Sequence, residues 1–106
     1  MENDNDELCR DICKRIGFAA AYEQLAEEAA ELAQAALKSA RIERGINPTP
    51  VDEDTAYLNL IEEVADLTVC LKVLNIKPNE KLCNEKLARW SKRLAIYDQK
   101  GYEYGC

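Results

Sequence analysis

Two segments of this chain nearly repeat each other: Leu25-Ala26-Glu27-Glu28-Ala29-Ala30-Glu31-Leu32 and Leu60-Ile61-Glu62-Glu63-Val64-Ala65-Asp66-Leu67. Both read Leu-x-Glu-Glu-x-Ala-acid-Leu, and both stand in stretches rich in residues that favour helices. Their apolar residues recur at the three- and four-residue spacing that lines one face of a helix. The two segments therefore predict two long amphipathic helices, and these helices decide the fold class.

Outward from these segments, the chain predicts four helices, because no stretch alternates with the period of two that a half-buried strand requires. The first predicted helix is capped by Asn5 or Asp6 and ends near Arg15, and the second runs from about Phe18 to Arg44 and is ended by Gly45. The third runs from about Glu53 to Leu74, and the fourth has Pro78 in its first turn and ends near Gln99. The predicted loop runs from Gly45 to Asp54, and the tail from Gly101 to Cys106 is predicted to be irregular.

A chain of 106 residues predicts one domain, 1–106, whose fold is an all-α antiparallel bundle of about four helices. Leu58 and Ile61 fall outside the apolar stripe formed by Leu60, Val64 and Leu67. A monomer of this size cannot cover apolar residues on several sides of its helices. We therefore expect oligomerisation to complete the bundle, as a homodimer or a dimer of dimers.

The composition excludes several classes of function. The net charge of −6 disfavours binding of nucleic acid polymers, and the absence of His excludes histidine-based catalysis and histidine metal ligands. The four glycines form neither a phosphate-binding loop nor a dinucleotide fingerprint. The sequence contains no apolar run long enough for a membrane span, and its polar, acidic beginning is not a signal peptide. We expect a cytoplasmic protein with reduced cysteines.

The repeated acids have predictable directions at about 100° per residue. Glu28 lies at the edge of its helix's apolar stripe with Glu31 about 60° further round, and Glu63 and Asp66 repeat this arrangement, whereas Glu62 points away. Antiparallel packing would bring the two pairs together, where a divalent cation relieves their repulsion. Ligands that are all oxygen favour Mg²⁺, or Mn²⁺, over Zn²⁺. The alternative is a solvated acidic face on ordinary amphipathic helices.

The acids and their neighbours resemble the MazG-like all-α nucleoside triphosphate pyrophosphohydrolases, a superfamily that includes dimeric dUTPases and dCTP pyrophosphatases. The resemblance spans about 17–93. Its motifs here are Gln24-Leu25-Ala26-Glu27-Glu28 with Glu31-Leu32, Ala35 and Lys38, then Asn59-Leu60-Ile61-Glu62-Glu63-Val64-Ala65-Asp66, then Asn84-Glu85-Lys86-Leu87-Ala88-Arg89. The first two motifs are specific to the superfamily, and the last is moderately so.

The resemblance implies a Mg²⁺-dependent hydrolase that converts a nucleoside triphosphate and water to a nucleoside monophosphate and pyrophosphate. It implies Mg²⁺ ligands at Glu28, Glu31, Glu63 and Asp66. It also implies substrate contacts at Lys86, Asn84, Arg89 and Gln24. Water would attack the α-phosphorus. Because the chain has no His, the base is a carboxylate or the metal itself activates the water, and Glu28 and Glu27 are the candidates for positioning that water.

Other functions stay open at this point. Hydrolysis of phosphoribosyl-ATP occurs on a related fold, and the motifs do not exclude it. A non-enzymatic helical hairpin that dimerises and binds a partner would treat the acids as surface. A di-iron carboxylate bundle is disfavoured, because such sites usually use Glu-x-x-His.

Overall fold

The computed structural model describes residues 4–45 and 51–99, and these residues contain four α-helices and no strand. The helices are α1 (Asp4–Ile16), α2 (Phe18–Arg44), α3 (Glu53–Val73) and α4 (Glu80–Gln99). The all-α class and the number of helices are therefore as the sequence predicted. The predicted irregular tail lies outside the described residues.

Glycine marks both ends of α2. Gly17 has φ 84°, which breaks the path between α1 and α2, and Gly45 caps α2 in the left-handed conformation with φ 64°. Residues other than glycine rarely adopt such φ angles, so the two glycines mark helix boundaries where the sequence predicted them. The first cap was predicted wrongly, because Asn5 and Asp6 lie inside α1. Acids are also favoured within a first turn, where they face the positive end of the helix dipole.

Helices α2 and α3 form an antiparallel hairpin. The carboxyl group of Glu43, near the end of α2, lies close enough to Glu53, which opens α3, to raise the pKa of Glu53. At the other end of the pair, Glu28 of α2 lies close enough to Cys70 of α3 to act on it electrostatically. Helix α1 packs against both of them. The buried apolar side chains among the described residues come mainly from the hairpin: Ala21, Ala56, Cys70 and Leu74.

Asparagines set the boundaries between α3 and α4. Asn75 has φ 57°, and the Ile76 and Asn75 N–H groups donate to the Leu71 and Lys72 carbonyls, which is the hydrogen-bond pattern of a Schellman motif. Asn79 then caps α4, because its Oδ1 accepts a hydrogen bond of 2.9 Å from the Leu82 N–H. Pro78 therefore precedes the cap. The sequence had predicted Pro78 in the first turn of α4, and that prediction was wrong. An asparagine side chain satisfies a free N–H at this position, which proline cannot do.

The chain divides into two compact units, Met1–Ile76 and Lys77–Cys106. The first contains α1, α2 and α3, and the second contains α4. Every residue of α4 is exposed, and apolar side chains such as Leu87 and Trp90 are among them. Across the described ranges, no helix combines the length and the apolar character that crossing a bilayer requires.

Candidate metal centre

Four carboxylates of the α2–α3 hairpin converge. Glu28 and Glu31 stand one turn apart on α2, and Glu63 and Asp66 stand one turn apart on α3. Each offers one oxygen, and these four oxygens lie within 4.8 Å of one another. The helical spacing and the antiparallel packing thus produce the convergence that the repeated motif predicted. We call these four residues the carboxylate cluster.

The spread of the oxygens suits a small cation. Mg²⁺ binds oxygen at about 2.0–2.1 Å, so ligands on opposite sides of the ion are about 4 Å apart. The cluster's oxygens, within 4.8 Å of one another, need only small side-chain adjustments to reach that separation. All four donors are oxygens, which favours a hard divalent ion over zinc.

Two buried oxygens of the cluster lack a partner. Gln24 Nε2 donates a 3.0 Å hydrogen bond to Glu28 Oε1, but Glu28 Oε2 and Glu63 Oε2 are buried and accept no hydrogen bond within the described ranges. Buried polar atoms are normally satisfied, and leaving one without a partner costs free energy. A cation bound by these side chains would supply the missing interaction, so the residues present fit a divalent metal ion.

The electrostatics of Glu28 reflect the same crowding. The pKa of Glu28 is raised from its ordinary value of 4.5, first by desolvation and then by the negative charges of Glu31 and Asp66. The hydrogen bond from Gln24 acts in the opposite direction but does not cancel the rise. Crowded carboxylates of this kind gain from a positive charge placed among them.

The two acids next to the cluster differ in their surroundings. Glu27 is exposed and does not belong to the cluster, although it was one of the two predicted catalytic residues. Glu62 is exposed and outside the cluster, as the sequence predicted, and it also lines a cavity together with Glu31 and Glu63. The reason is helical geometry: Glu62 follows Asn59 by three residues, and Asn59 lines the same cavity.

The cavity lies between α2 and α3 beside the carboxylate cluster and has a volume of about 310 Å³. Its floor includes Ala35 and Ala56, whose small side chains leave the space open. Polar groups on its walls include Gln34, Lys38 and Asn59. The hydrophobic periodicity of the sequence did not predict this cavity. Two of its lining residues, Lys38 and Asn59, do belong to the motifs quoted from the sequence.

The predicted substrate contacts fall in both units. Gln24 lies on α2 and holds Glu28, as described above. Asn84, Lys86 and Arg89 lie on α4 and are exposed. Lys86 and Arg89, with Trp90 and others, line a hollow of about 460 Å³ on that helix. The described geometry therefore gives Gln24 a defined partner in the cluster, while the roles of the three α4 residues stay predictions.

Sequence reasoning did not connect Cys70 with this site. It follows Asp66 by four residues on α3 and is buried. Burial raises the pKa of the Cys70 thiol, and the charges of Glu28 and Asp66 raise it further. The thiol therefore stays protonated at neutral pH and is a poor ligand and nucleophile. Its i, i+4 spacing from Asp66 could have predicted this position, because residues four apart share one face of a helix.

Comparisons of this chain with protein-family models, with curated proteins and with solved structures each give no match. The family resemblance therefore stands on the quoted motifs.

Proposed function

We propose that this protein is a Mg²⁺-dependent nucleoside triphosphate pyrophosphohydrolase, which converts a (d)NTP and water to a (d)NMP and pyrophosphate. The observation that carries the proposal is the carboxylate cluster, in which one oxygen from each of the four side chains lies within 4.8 Å of the others. Two of these side chains, Glu28 and Glu63, also have a buried oxygen without a hydrogen bond. The motif resemblance supports the same chemistry. A solvated acidic face predicts carboxylate oxygens that point into water, whereas Glu28 and Glu63 each have one oxygen that is buried without a hydrogen-bond partner.

In this proposal the carboxylate cluster holds Mg²⁺, with Mn²⁺ as a possible substitute. When bound, the ion would neutralise charge on the phosphates and polarise the phosphorus for attack. Gln24 donates a hydrogen bond to Glu28 Oε1, and Glu28 Oε2 is buried without a hydrogen bond. We assign Glu28 the task of orienting the attacking water in preference to Glu27, because Glu27 is exposed and outside the cluster.

A triphosphate also needs positive charge from the protein. The resemblance assigns this role to Lys86, with Asn84 and Arg89 beside it in sequence. These three assignments are part of the proposal and rest on the motif.

A second candidate is a non-enzymatic helical module that binds another protein chain. The observation that favours it is the exposure of large apolar side chains in the described ranges, among them Phe18, Leu58 and Trp90. Exposed apolar surface of this kind marks association surfaces. It explains neither the convergence of four acids nor their orphaned oxygens, so we place it second.

The direct test is a substrate panel in Mg²⁺ that contains the common NTPs and dNTPs together with phosphoribosyl-ATP. Pyrophosphate and inorganic phosphate are measured separately, because attack on the α-phosphorus releases pyrophosphate and attack on the γ-phosphorus releases phosphate. We expect pyrophosphate and a nucleoside monophosphate from at least one nucleotide. Hydrolysis of phosphoribosyl-ATP only would narrow the function to that alternative. The absence of turnover on the whole panel would favour the interaction module.

The matched variants are Glu63→Gln and Glu23→Gln. Glu63→Gln removes one charge from the cluster at nearly constant shape, and we expect turnover to fall by about a hundredfold or more. Glu23 is exposed on α2 and outside both the cluster and the cavity, so Glu23→Gln should keep turnover within about twofold. Equal activity of the two variants would mean that the carboxylate cluster is not the active site.

A further inference from the structure

The cavity between α2 and α3 is continuous with the carboxylate cluster. Glu31 and Glu63 belong to both, so a ligand held by a metal ion in the cluster meets the cavity directly. At about 310 Å³ the cavity lies at the lower end of the volumes of small-molecule sites, which suits one part of a nucleotide. The part that it holds depends on the groups on its walls.

Lys38 is the cation on these walls, where the charged neighbours are Glu31, Glu62 and Glu63. Within the described residues Lys38 makes no ion pair with any of them. An ammonium group that stands among carboxylates without a direct pair is available to a ligand that brings its own negative charge. Phosphate oxygens are the ligands that lysine commonly binds in nucleotide sites.

The position of Lys38 on the helix supports this role. It follows Glu31 by seven residues, which is two turns and about 10 Å along the axis. Side chains of an α-helix lean toward its N-terminus, and Glu31 lies on the N-terminal side of Lys38. A lysine at this position can therefore reach toward the part of the cavity that Glu31 lines. The amides of Gln34 and Asn59 line the cavity as well and offer N–H donors along the same path.

We propose that Lys38 binds the phosphate chain of the metal-bound substrate, and that the cavity beside the carboxylate cluster is a phosphate subsite within the α2–α3 hairpin. This rests on the proposed function, since the cluster must hold the metal that brings the phosphates. The resemblance assigns no role to Lys38, so this is a substrate contact in addition to those predicted on α4. The metal ligands and one cation for the phosphates then come from a single pair of helices.

The test compares Lys38→Met with Lys72→Met in the full chain. Lys72 is exposed in the last turn of α3 and outside the cavity, so it is the matched control. Three ligands are titrated by calorimetry: Mn²⁺ alone, an α,β-methylene nucleoside triphosphate with Mg²⁺, and inorganic tripolyphosphate with Mg²⁺. The analogue cannot be cut at the α–β bridge, and tripolyphosphate has no base or sugar. Both variants are checked for the wild-type melting temperature.

We expect Lys38→Met to bind Mn²⁺ within about twofold of wild type and to bind both phosphate ligands about tenfold more weakly or worse. Lys38→Arg, which keeps the charge, should retain most of the affinity. Equal binding by Lys38→Met and Lys72→Met would overturn the subsite while leaving the proposed function intact. A loss confined to the nucleoside-bearing analogue would also overturn it, because Lys38 would then contact the base or sugar. Wild-type protein that binds neither Mn²⁺ nor the analogue would overturn the proposed function and this subsite with it.

Discussion

Glu63 is a residue at which charge repulsion and the proposed metal binding would have opposite effects on stability. Without metal, Glu63→Gln should leave the free energy of unfolding unchanged or raise it, because one of four crowded charges is removed. With Mg²⁺ at about 100 times its Kd, wild type should gain about 2.7 kcal/mol, which is about 10 °C or more in Tm for a domain of this size. Glu63→Gln should lose most of that gain. Melting curves with EDTA and with Mg²⁺ measure both effects.

Glu23→Gln is the control for this pair of melts, since it changes the same charge on an exposed position of α2. It should follow wild type in both buffers. If Glu63→Gln also follows wild type in both, the crowding of charges at the cluster has no energetic consequence, and the metal centre is wrong.

Glu28 gives the metal-free protein a characteristic pH dependence. Its pKa is raised above 4.5 by desolvation and by nearby acids, and the pKa of Glu53 is raised by the adjacent carboxyl group of Glu43, which favours the protonated form. A group whose pKa is higher in the folded state stabilises the fold at low pH, and that stabilisation is lost as pH rises through the folded pKa. In EDTA the free energy of unfolding should therefore rise as pH falls from neutrality toward 4.5, the ordinary pKa of a glutamate. Asp52 acts in the opposite direction, but only near and below its ordinary value of 3.8, because its pKa is lowered by the Thr55 N–H.

In Mg²⁺ the trend should reverse over the same pH range, because protons compete with the metal for the cluster. Urea unfolding at several pH values, with EDTA or with Mg²⁺, measures both trends. Glu28→Gln should flatten the dependence in EDTA. Parallel trends in the two buffers would show that the cluster does not bind the ion.

The directions of Glu28 and Glu63 were predictable because a helix has a fixed period and an apolar stripe identifies its packed face. The details around them were not. The bond from Gln24 to Glu28 and the place of Glu62 on the cavity wall depend on side-chain rotamers and on the distance between two helices. A single sequence specifies neither quantity, so the partners within the site had to come from the structure.

The helices themselves were predicted well where glycine ends them and less well where asparagine does. A glycine after a long helical stretch, such as Gly45, usually ends the helix, and α2 stops where the sequence indicated. Asn75 ends α3 through its left-handed backbone, and Asn79 begins α4 through its side-chain cap. Asparagine also occurs at other positions in and around helices, so neither role can be identified from the residue type alone. The end of α3 and the start of α4 were accordingly placed within a few residues, with Pro78 given the role that belongs to Asn79.

Asn75 allows a test of how α3 ends. Its φ of 57° is a left-handed conformation that glycine adopts without strain. Asn75→Gly should therefore keep or raise the free energy of unfolding, and Asn75→Ala should lower it by about 1 kcal/mol. Lys72→Ala, an exposed change one turn earlier, should have little effect. Chemical denaturation measures all three, and a more stable Asn75→Ala variant would contradict the assignment of the Schellman motif.

At the scale of the whole molecule, the described chain exposes more large apolar side chains than it buries. Leu58 is 66% exposed and Ile61 is 48% exposed, and both were singled out in the sequence as residues outside the apolar stripe of α3. The buried apolar side chains are few and mostly small, with Ala21 and Ala56 among them. Small domains bury a smaller share of their apolar surface, so for a chain with this little internal core we expect another surface to cover the apolar faces.

We therefore expect a second copy of this chain to cover that surface, giving a homodimer or a dimer of dimers with no stable folded monomer. Sedimentation at micromolar concentration should show no monomer, and Tm should rise with protein concentration, because unfolding of an obligate oligomer includes dissociation. Leu58→Glu places a charge on an exposed apolar position of α3 and should weaken association by about tenfold or more, whereas Lys72→Glu, at an exposed polar position, should not. A well-folded wild-type monomer, with a Tm independent of concentration, would show that a single chain is stable with these side chains in water, and the α2–α3 hairpin would then have to build its metal centre without a second copy.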